Sequence, residues 1–378
     1  MRSSLLASSN AFGDSKATAR PYSFEELLGA LEGSFFCRVV LASLEIIRLL
    51  RSHSPVLYES FGLGAGGDRS SGADLLSEAI FCKFLLPAYN VDSEEAGYLY
   101  SKAPSAFTVV LDPLDGSNNF QSHIPYYGAS LALCDENGLV CEACVVNYVS
   151  QEISYLGNSI LDLVDSPLIF RLDSLGLYLP FGLDEGHALP PGVGALPYRP
   201  LDFSFLMPSD LGDEASSMQI GHLCATILET GEGLPDFDKD LLLLLFRRGI
   251  VALVGGRPRP AKCGIFERAS YFPAWASYLL ERGLKFRSLG ASALSIGFSF
   301  RHSFVLLPTS VRKYDGMAGF YLAQKQNLSG DLDYFCKSLP YLSKHLRSHK
   351  HIVVSPDPAI VDALASADIC ASTPIVRK

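Results

Sequence analysis

The stretch Leu111-Asp112-Pro113-Leu114-Asp115-Gly116-Ser117-Asn118-Asn119-Phe120 carries the most specific chemistry in the chain. Two carboxylates stand three residues apart with a proline between them and Gly-Ser directly behind, after a β-branched run at 107–111. That order reads as a strand whose carboxyl end delivers Asp112 into a turn, followed by a helix start. Backbone N–H groups at a helix start favour an anion such as phosphate. Hard oxygen ligands beside them favour Mg²⁺, which is held by one or two carboxylates together with substrate phosphate. An isolated Asp-Pro-x-Asp-Gly is equally compatible with a capped turn, so the neighbours decide. Glu94 and Glu95 lie on a polar segment upstream that can return to the same strand end.

The elements that must position these groups follow from periodicity. Leu27, Leu28, Leu31, Phe35, Val39, Leu41, Ile46 and Leu50, behind a Ser23/Glu26 capping pattern, predict a helix over 23–52. A Gly-rich bend at 62–67 leads into a second helix bearing Asp74, Leu75, Glu78, Ala79, Cys82 and Leu85, ended by Pro87. Strands at 128–134 and 139–149 flank the turn Asp135-Glu136-Asn137-Gly138. Prolines 180, 190, 191, 197, 200 and 208, with several glycines, leave 179–210 as a surface loop or lobe boundary, with a more helical tract over 213–248. Beyond it the pattern gives a helix at 269–282, a turn at Gly290 into a helix, and a strand near 304–307. A helix from Gly316 and a final strand and helix over 352–367 complete an α/β lobe.

The constellation around Asp112 resembles the inositol monophosphatase-like superfamily of Mg²⁺-dependent, lithium-sensitive phosphatases, which includes fructose-1,6-bisphosphatases and bisphosphate nucleotidases. The family's Asp-Pro-(Ile/Leu)-Asp-Gly-(Thr/Ser)-x-x-Phe stands here at 112–120. Ile124-Pro-Tyr-Tyr-Gly-Ala-Ser-Leu-Ala-Leu looks like the strand that follows it, in the form of the inositol monophosphatase branch. Gly-Glu-Glu appears as Ser93-Glu94-Glu95, and the earlier Asp and Asp-x-x-x-Glu pattern as Asp68, then Asp74 and Glu78. Two downstream motifs match Arg287-Ser-Leu-Gly290-Ala-Ser-Ala293 and Tyr314-Asp315-Gly-Met-Ala318-Gly319. The likeness is clear over 68–155 and 285–325, plausible over 352–367 and absent from about 160–265.

The resemblance implies a layered α/β/α/β/α sugar-phosphatase-like fold with a long middle insertion. It divides the chain into an N-terminal α+β lobe (1–157), a divergent Pro/Gly-rich and helical insertion (158–265) and a C-terminal α/β lobe (266–378). It also implies hydrolysis of a small phosphate monoester (an inositol phosphate, a sugar phosphate or a nucleotide 3′-phosphate) by a metal-activated water, with two to three Mg²⁺ ions. Glu94, Asp112, Asp115 and the carbonyl of Leu114 would hold metal, and Asp315 would complete a second ion. Asp74 and Ser117 would orient and deprotonate the attacking water. The amides of Gly116 and Ser117 would hold phosphate oxygens, and the turn Gly290-Ala291-Ser292 would meet the rest of the substrate. A homodimer is expected by the same likeness. The family's ring-contacting acid should fall near Pro308 or Thr309, where no carboxylate stands, and its Glu-Ala-Gly-Gly is Ala323-Gln-Lys-Gln here. The rival reading is a non-catalytic protein that binds a phosphorylated metabolite on the same scaffold.

Composition bounds these readings. In 378 residues, 48% are hydrophobic and 19% charged, which excludes disordered and fibrous classes. Forty acidic against 31 basic residues give a net charge of −9, opposing a nucleic-acid polymer or an anionic membrane as partner. The nine cysteines are scattered and mostly sit in apolar runs, so they read as reduced thiols in a cytoplasmic protein. No leader is expected at the start, and the apolar run at 241–246 is far short of the roughly 18 residues a membrane helix needs. Cys141 and Cys144 have redox or zinc spacing inside a strand pattern and read as core packing. His123 reads as a surface residue. Arg247, Arg248, Arg257, Arg259 and Lys262 read as a solvated basic edge, and the glycines at 64–67 lack the Lys-Ser/Thr of a P-loop.

Overall fold

The computed structural model describes residues 34–161, 167–172, 201, 203, 217–229, 250–252, 261–307, 311–324, 326–329, 345–346, 351–367 and 369. Helix α1 (Ser34–Arg51) is apolar nearly all round, as a helix enclosed on every side must be. The hairpin β1 (Ser60–Leu63) and β2 (Arg69–Ser71) runs directly into α2 (Gly72–Leu85). Ser71 caps α2: its Oγ accepts from the Asp74 N–H, and the Asp74 carboxylate accepts from the Ser71 N–H at 2.6 Å. Next come β3 (Asn90–Ser93), β4 (Gly97–Leu99), β5 (Thr108–Asp115), the short α3 (Ser117–Gln121), β6 (Gly128–Cys134), β7 (Val140–Asn147), β8 (Glu152–Gly157) and β9 (Leu168–Arg171). After α4 (Ser217–Glu229), strand β10 (Ile250–Ala252) joins the far edge. The eight-stranded sheet runs β10-β9-β8-β7-β6-β5-β3-β4, and only the β3–β5 pairing is parallel.

The C-terminal elements are β11 (Gly264–Phe266), α5 (Pro273–Glu281), β12 (Phe286–Arg287), α6 (Ser292–Gly297), β13 (Val305–Leu307), β14 (Val311–Arg312) and α7 (Lys313–Ala323). Strands β15 (Asn327–Ser329), β16 (His345–Leu346) and β17 (Ile352–Ser355) precede α8 (Pro358–Ala365). A second sheet runs β12-β11-β13-β17-β15.

Alternation along the strands sets the layers. Tyr155 pairs across to Cys144 and meets Phe36 of α1 at 4.5 Å, so that face of the first sheet carries α1. Val145 points the other way, close enough to α6 that a Cβ on Gly297 would lie 2.6 Å from it. Every residue of β5 and β6 is buried as a result. In the second sheet Val305 and Leu307 enter the main core while Phe304 and Leu306 enter a separate core with Trp275 and Leu279 of α5 and Leu364 of α8. The order is therefore α/β/α/β/α, the layering expected from the sequence.

Several expectations are corrected in detail. The strand predicted to stop at the Asp-Pro step runs on through Asp115, because a register shift between Asp112 and Asp115 absorbs the proline that cannot join the ladder. Helix α7 begins at Lys313 rather than Gly316, which places Asp315 in its first turn. Helix α5 starts at Pro273, behind a 3-10 turn at 269–271, since proline suits the first helical position. Ser23 and Glu26, nearly all of 179–210, most of 213–248 and the basic residues 247, 248, 257 and 259 lie outside the described residues. The seven described cysteines are free thiols, with Cys144 buried and Cys141 half-buried. No described helix is long and apolar enough to cross a membrane.

Gly128 marks where the sheet packs most closely: a Cβ there would run into the Val146 carbonyl and approach Leu294 of α6 at 2.8 Å. Gly128→Ala is expected to destabilise the fold by about 3 kcal/mol in urea titrations. A change below about 0.5 kcal/mol would show that β6 is not clamped between β7 and α6.

Candidate functional site

Because β3 and β5 run parallel, their carboxyl ends coincide. Ser93 pairs with Leu111, and the Glu94 N–H donates to the Leu111 carbonyl at 3.0 Å. Glu94 and Asp112 thus leave the sheet side by side. Helix α7 crosses the same end and adds Asp315 from its first turn. Glu94, Asp112 and Asp315 are all buried, and each offers an oxygen within 4.8 Å of the others. Asp115, at the far side of the bulge, is also buried, and its Oδ2 accepts from the Leu294 N–H of α6 at 3.0 Å. Leu114 lies between the two aspartates, and its N–H donates to Asp112 Oδ1 at 3.0 Å. Among the described residues, buried Glu94 Oε2 has no hydrogen-bond partner. An orphaned carboxylate oxygen facing two further carboxylates fits a hard divalent cation.

The electrostatics agree with that fit. Burial pushes Glu94 up to about 8, with Asp315, Glu95 and Asp68 adding to it and Arg312 opposing. Asp112 and Asp115 are driven well above the ordinary carboxylate range, first by burial and then by the neighbouring acids. A bound cation inverts this logic and holds such groups ionised.

Asp74 and Glu95 form an outer carboxylate pair. Asp74 sits at about 6 through burial, although Ser71 hydrogen bonds oppose the shift. Its Oδ2 accepts from both the Ser71 Oγ and the Ser71 N–H at 2.6 Å, which fixes the carboxylate at the start of α2. Glu95, raised by burial to about 7, accepts from the Ser70 hydroxyl. The glycine bend presses on this pair: the Ala65 and Gly66 N–H groups donate to the Glu95 and Glu94 carbonyls at 2.8 and 2.6 Å. A Cβ on Gly66 would sit 2.6 Å from Glu94 Cγ, so a larger residue would displace the carboxylate.

Above the acid floor lies a rim of small residues. Gly116 is left-handed at φ +83 and half-buried, and Ser117 opens α3. A Cβ on Gly116 would stand 3.1 Å from Ala291 Cβ, so the turn at Gly290-Ala291-Ser292 borders it as expected. Asn119 Nδ2 locks the two turns together through the Tyr126 and Leu289 carbonyls, each at 2.7 Å. The structure thus brings Glu94, Asp112, Asp115 and Asp315 to one floor, with Gly116, Ser117 and 290–292 at its rim. His123 is exposed and stacks its ring near Tyr58, away from the carboxylates. Positions 308 and 309 lie outside the described residues.

Sequence reasoning missed three supports. Buried Glu267 accepts from the Gly290 N–H at 2.9 Å and from the Ser295 hydroxyl at 2.5 Å, fixing the rim turn. Lys313 and Tyr314 donate to Asp92, which ties the start of α7 to β3 and so sets Asp315 against Glu94. Arg312 bonds Asp315, Glu94 and Asp68. The Arg-x-x-Asp spacing of 312 and 315 was a readable signal for the last. Asp92 and Lys313 carry none, being far apart in sequence.

No family model matches the chain. A fructose-1,6-bisphosphatase/inositol-1-monophosphatase from Thermococcus kodakarensis is 43% identical over 76 residues, which is 20% of this chain and 29% of that relative. The chain therefore matches less than a third of that relative's length. Among solved structures, a fructose-1,6-bisphosphatase from Leishmania major superposes with a TM-score of 0.58 at 12% identity, covering 91% of this chain and 98% of that one. An inositol monophosphatase–fructose-1,6-bisphosphatase superposes at 0.50 with 14% identity, covering 86% and 95%. The fold is shared with these proteins, and the sequence relative bears both family names, so the likeness read from the motifs is the one found here. Those joint names give no support to the preference for one branch drawn from 124–133.

Two measurements test the site. Carboxyls raised in the fold bind protons that the unfolded chain has released, so the metal-free protein should lose stability as pH rises from the ordinary value of 4.5 to about 8. Melting temperatures without metal should fall across that window, and saturating Mg²⁺ should stabilise more at each higher pH; a flat metal-free profile contradicts the burial of these acids. Separately, Asp92→Asn leaves buried Lys313 unpaired and should cost about 3–5 kcal/mol. Most of that loss should disappear in the Asp92→Asn/Lys313→Met double variant, measured by chemical denaturation.

Proposed function

We propose that this chain, with the fold of the inositol monophosphatase and fructose-1,6-bisphosphatase family, is a divalent-metal-dependent phosphoric monoester hydrolase acting on a small phosphorylated metabolite. The observation that carries the reading is the convergence of Glu94, Asp112 and Asp315, with an unpartnered Glu94 oxygen, beneath a rim of small residues. Arg312 pairs Asp315 and one Glu94 oxygen, but a single guanidinium does not balance four buried acids, and Glu94 Oε2 stays open beside turns that a ligand can approach.

In this reading Glu94, Asp112, Asp115 and the Leu114 carbonyl hold Mg²⁺, with Asp315 beside them. Divalent cations held there supply neutralisation of the phosphoryl charge, a more acidic water and stabilisation of the leaving oxygen. The chain's own groups do the rest. The first N–H groups of α3, at Gly116 and Ser117, have no helical acceptor and take phosphate oxygens. Ser117 orients the attacking water, and Asp74, at about 6 in the metal-free fold, takes its proton near neutral pH. The left-handed Gly290 and the small Ala291 and Ser292 let the substrate body lie against backbone. No covalent enzyme intermediate forms.

Inositol phosphates, sugar phosphates and nucleotide 3′-phosphates all suit this chemistry, and the middle tract 158–265 is assigned the role of setting specificity. The three-part division at 157 and 265, the cytoplasmic setting and the homodimer belong to the same proposal. Two relatives pair fructose-1,6-bisphosphatase with inositol-1-monophosphatase in their names and a third is named for the first alone, which favours sugar phosphates; the missing carboxylate at 308–309 speaks against inositol phosphates.

The test is phosphate release from inositol monophosphates, hexose mono- and bisphosphates and nucleoside 3′-phosphates, with Mg²⁺ and with or without millimolar Li⁺. At least one ester should turn over, and Asp112→Asn should lower kcat/KM by about 10²–10⁴-fold. Asp74→Asn should lose a similar factor while retaining Mg²⁺-dependent stabilisation. Turnover of none of the esters, or full activity in Asp112→Asn, would falsify the reading.

A further inference from the structure

The guanidinium of Arg312 enters the carboxylate floor from the residue that caps α7. Its Nε donates to Asp315 Oδ2 at 2.9 Å and its Nη2 to Asp315 Oδ1 at 3.1 Å, so both oxygens of that carboxylate are engaged in a fork. Its Nη1 is shared between Glu94 Oε1 and Asp68 Oδ2, the latter at 2.7 Å. Glu94 therefore divides its oxygens: Oε1 accepts from the guanidinium, whereas buried Oε2 has no partner among the described residues. The two sides of the floor differ. One Glu94 oxygen stands open to a cation, whereas both Asp315 oxygens already meet a positive charge.

Three separate stretches supply the arginine's partners: the loop before β2, the end of β3 and the first turn of α7. A guanidinium stays charged at any ordinary pH, and its planar fork matches a carboxylate better than an ammonium would. A divalent ion at Asp315 would have to share oxygens that this fork already engages and stand against a like charge a few ångströms away.

We infer that Arg312 occupies the place of one divalent ion, so that this chain holds a single tight cation at Glu94 and Asp112, where the family likeness implies two to three. The inference rests on the metal-dependent reading proposed above and concerns the number of ions, not their existence. Arg312 is a positioning residue in this account: it fixes Asp315 and one Glu94 oxygen and supplies charge that metal supplies elsewhere.

The count is measured directly, by equilibrium dialysis and titration calorimetry with Mn²⁺ on the full chain, and by the electron paramagnetic resonance signal of free Mn²⁺. The wild type should take one ion at submillimolar free Mn²⁺. Arg312→Gln should take one more, or bind the first at least about tenfold tighter, because a competing charge has left. Arg312→Lys, which keeps the charge, should keep the wild-type count. Two or more tight ions in the wild type overturn the inference, and so does Arg312→Gln with unchanged or weaker binding. The wild-type count depends on no variant folding, and melting at saturating Mn²⁺ verifies the fold of Arg312→Gln. Phosphate release separates the two claims: turnover with two or more tight ions sinks this inference alone, whereas no bound ion and no turnover sink both.

Discussion

Four carboxylates, Glu94, Asp112, Asp115 and Asp315, are buried where the strand ends of the first sheet meet the first turn of α7, which packs on that sheet. Unit charges of one sign 4 Å apart repel by about 4 kcal/mol at an effective dielectric of 20, so such a floor costs stability unless positive charge enters it. The surrounding architecture answers that constraint. The parallel β3–β5 pair sets Glu94 beside Asp112 at hydrogen-bonding distance of the same strand end. The bulge at Pro113 shifts the register, and Asp115, still paired with Gly128, accepts from the Leu294 N–H of α6. The Asp92–Lys313 pair holds α7 where Asp315 completes the group, at the expense of two desolvated charges.

The floor is fixed and its rim is bare. Gly290 is exposed and Gly116 and Ser292 are half-buried over the buried Ala291, and Asn119 bonds the Tyr126 and Leu289 carbonyls of the two turns. Glu267 repeats the device one layer further out, holding Gly290 and Ser295 from the second sheet. Acids that attract a cation, under amides that accept an anion, suit a ligand carrying phosphate, since the metal mediates between two negative partners. The net charge of −9 is thus compatible with a phosphorylated substrate.

Much of this was legible in the chain. The Asp112–Phe120 motif, the polar Glu94-Glu95 segment and the Tyr314-Asp315 motif name the floor residues, because metal and phosphate chemistry demands particular side chains at short, fixed spacings. Burial alternation in β13, with Val305 and Leu307 in one core and Phe304 and Leu306 in another, follows from apolar residues on both faces of a short strand. What local pattern misjudged were boundaries. A proline reads as a strand stop, yet β5 continues past Pro113 because the bulge takes up the missing donor. Gly316 reads as a helix start, yet Lys313 and Tyr314 begin α7 because Asp92 anchors them.

Residue type and local period by themselves determined Asp112, Asp115 and Glu94 as candidate ligands and the glycines beside them, while Asp315 and the layered fold followed from the resemblance of the motifs to a known family. Only the tertiary structure decided that Glu94 keeps one oxygen without a partner among the described residues, that Glu267 props the rim, and that Arg312 reaches Glu94 and Asp68. These are contacts between residues up to 244 positions apart, such as Arg312 with Asp68. No spacing rule reaches that far: the pairing is set by how two sheets and the helices between them pack, and packing is a property of the whole chain.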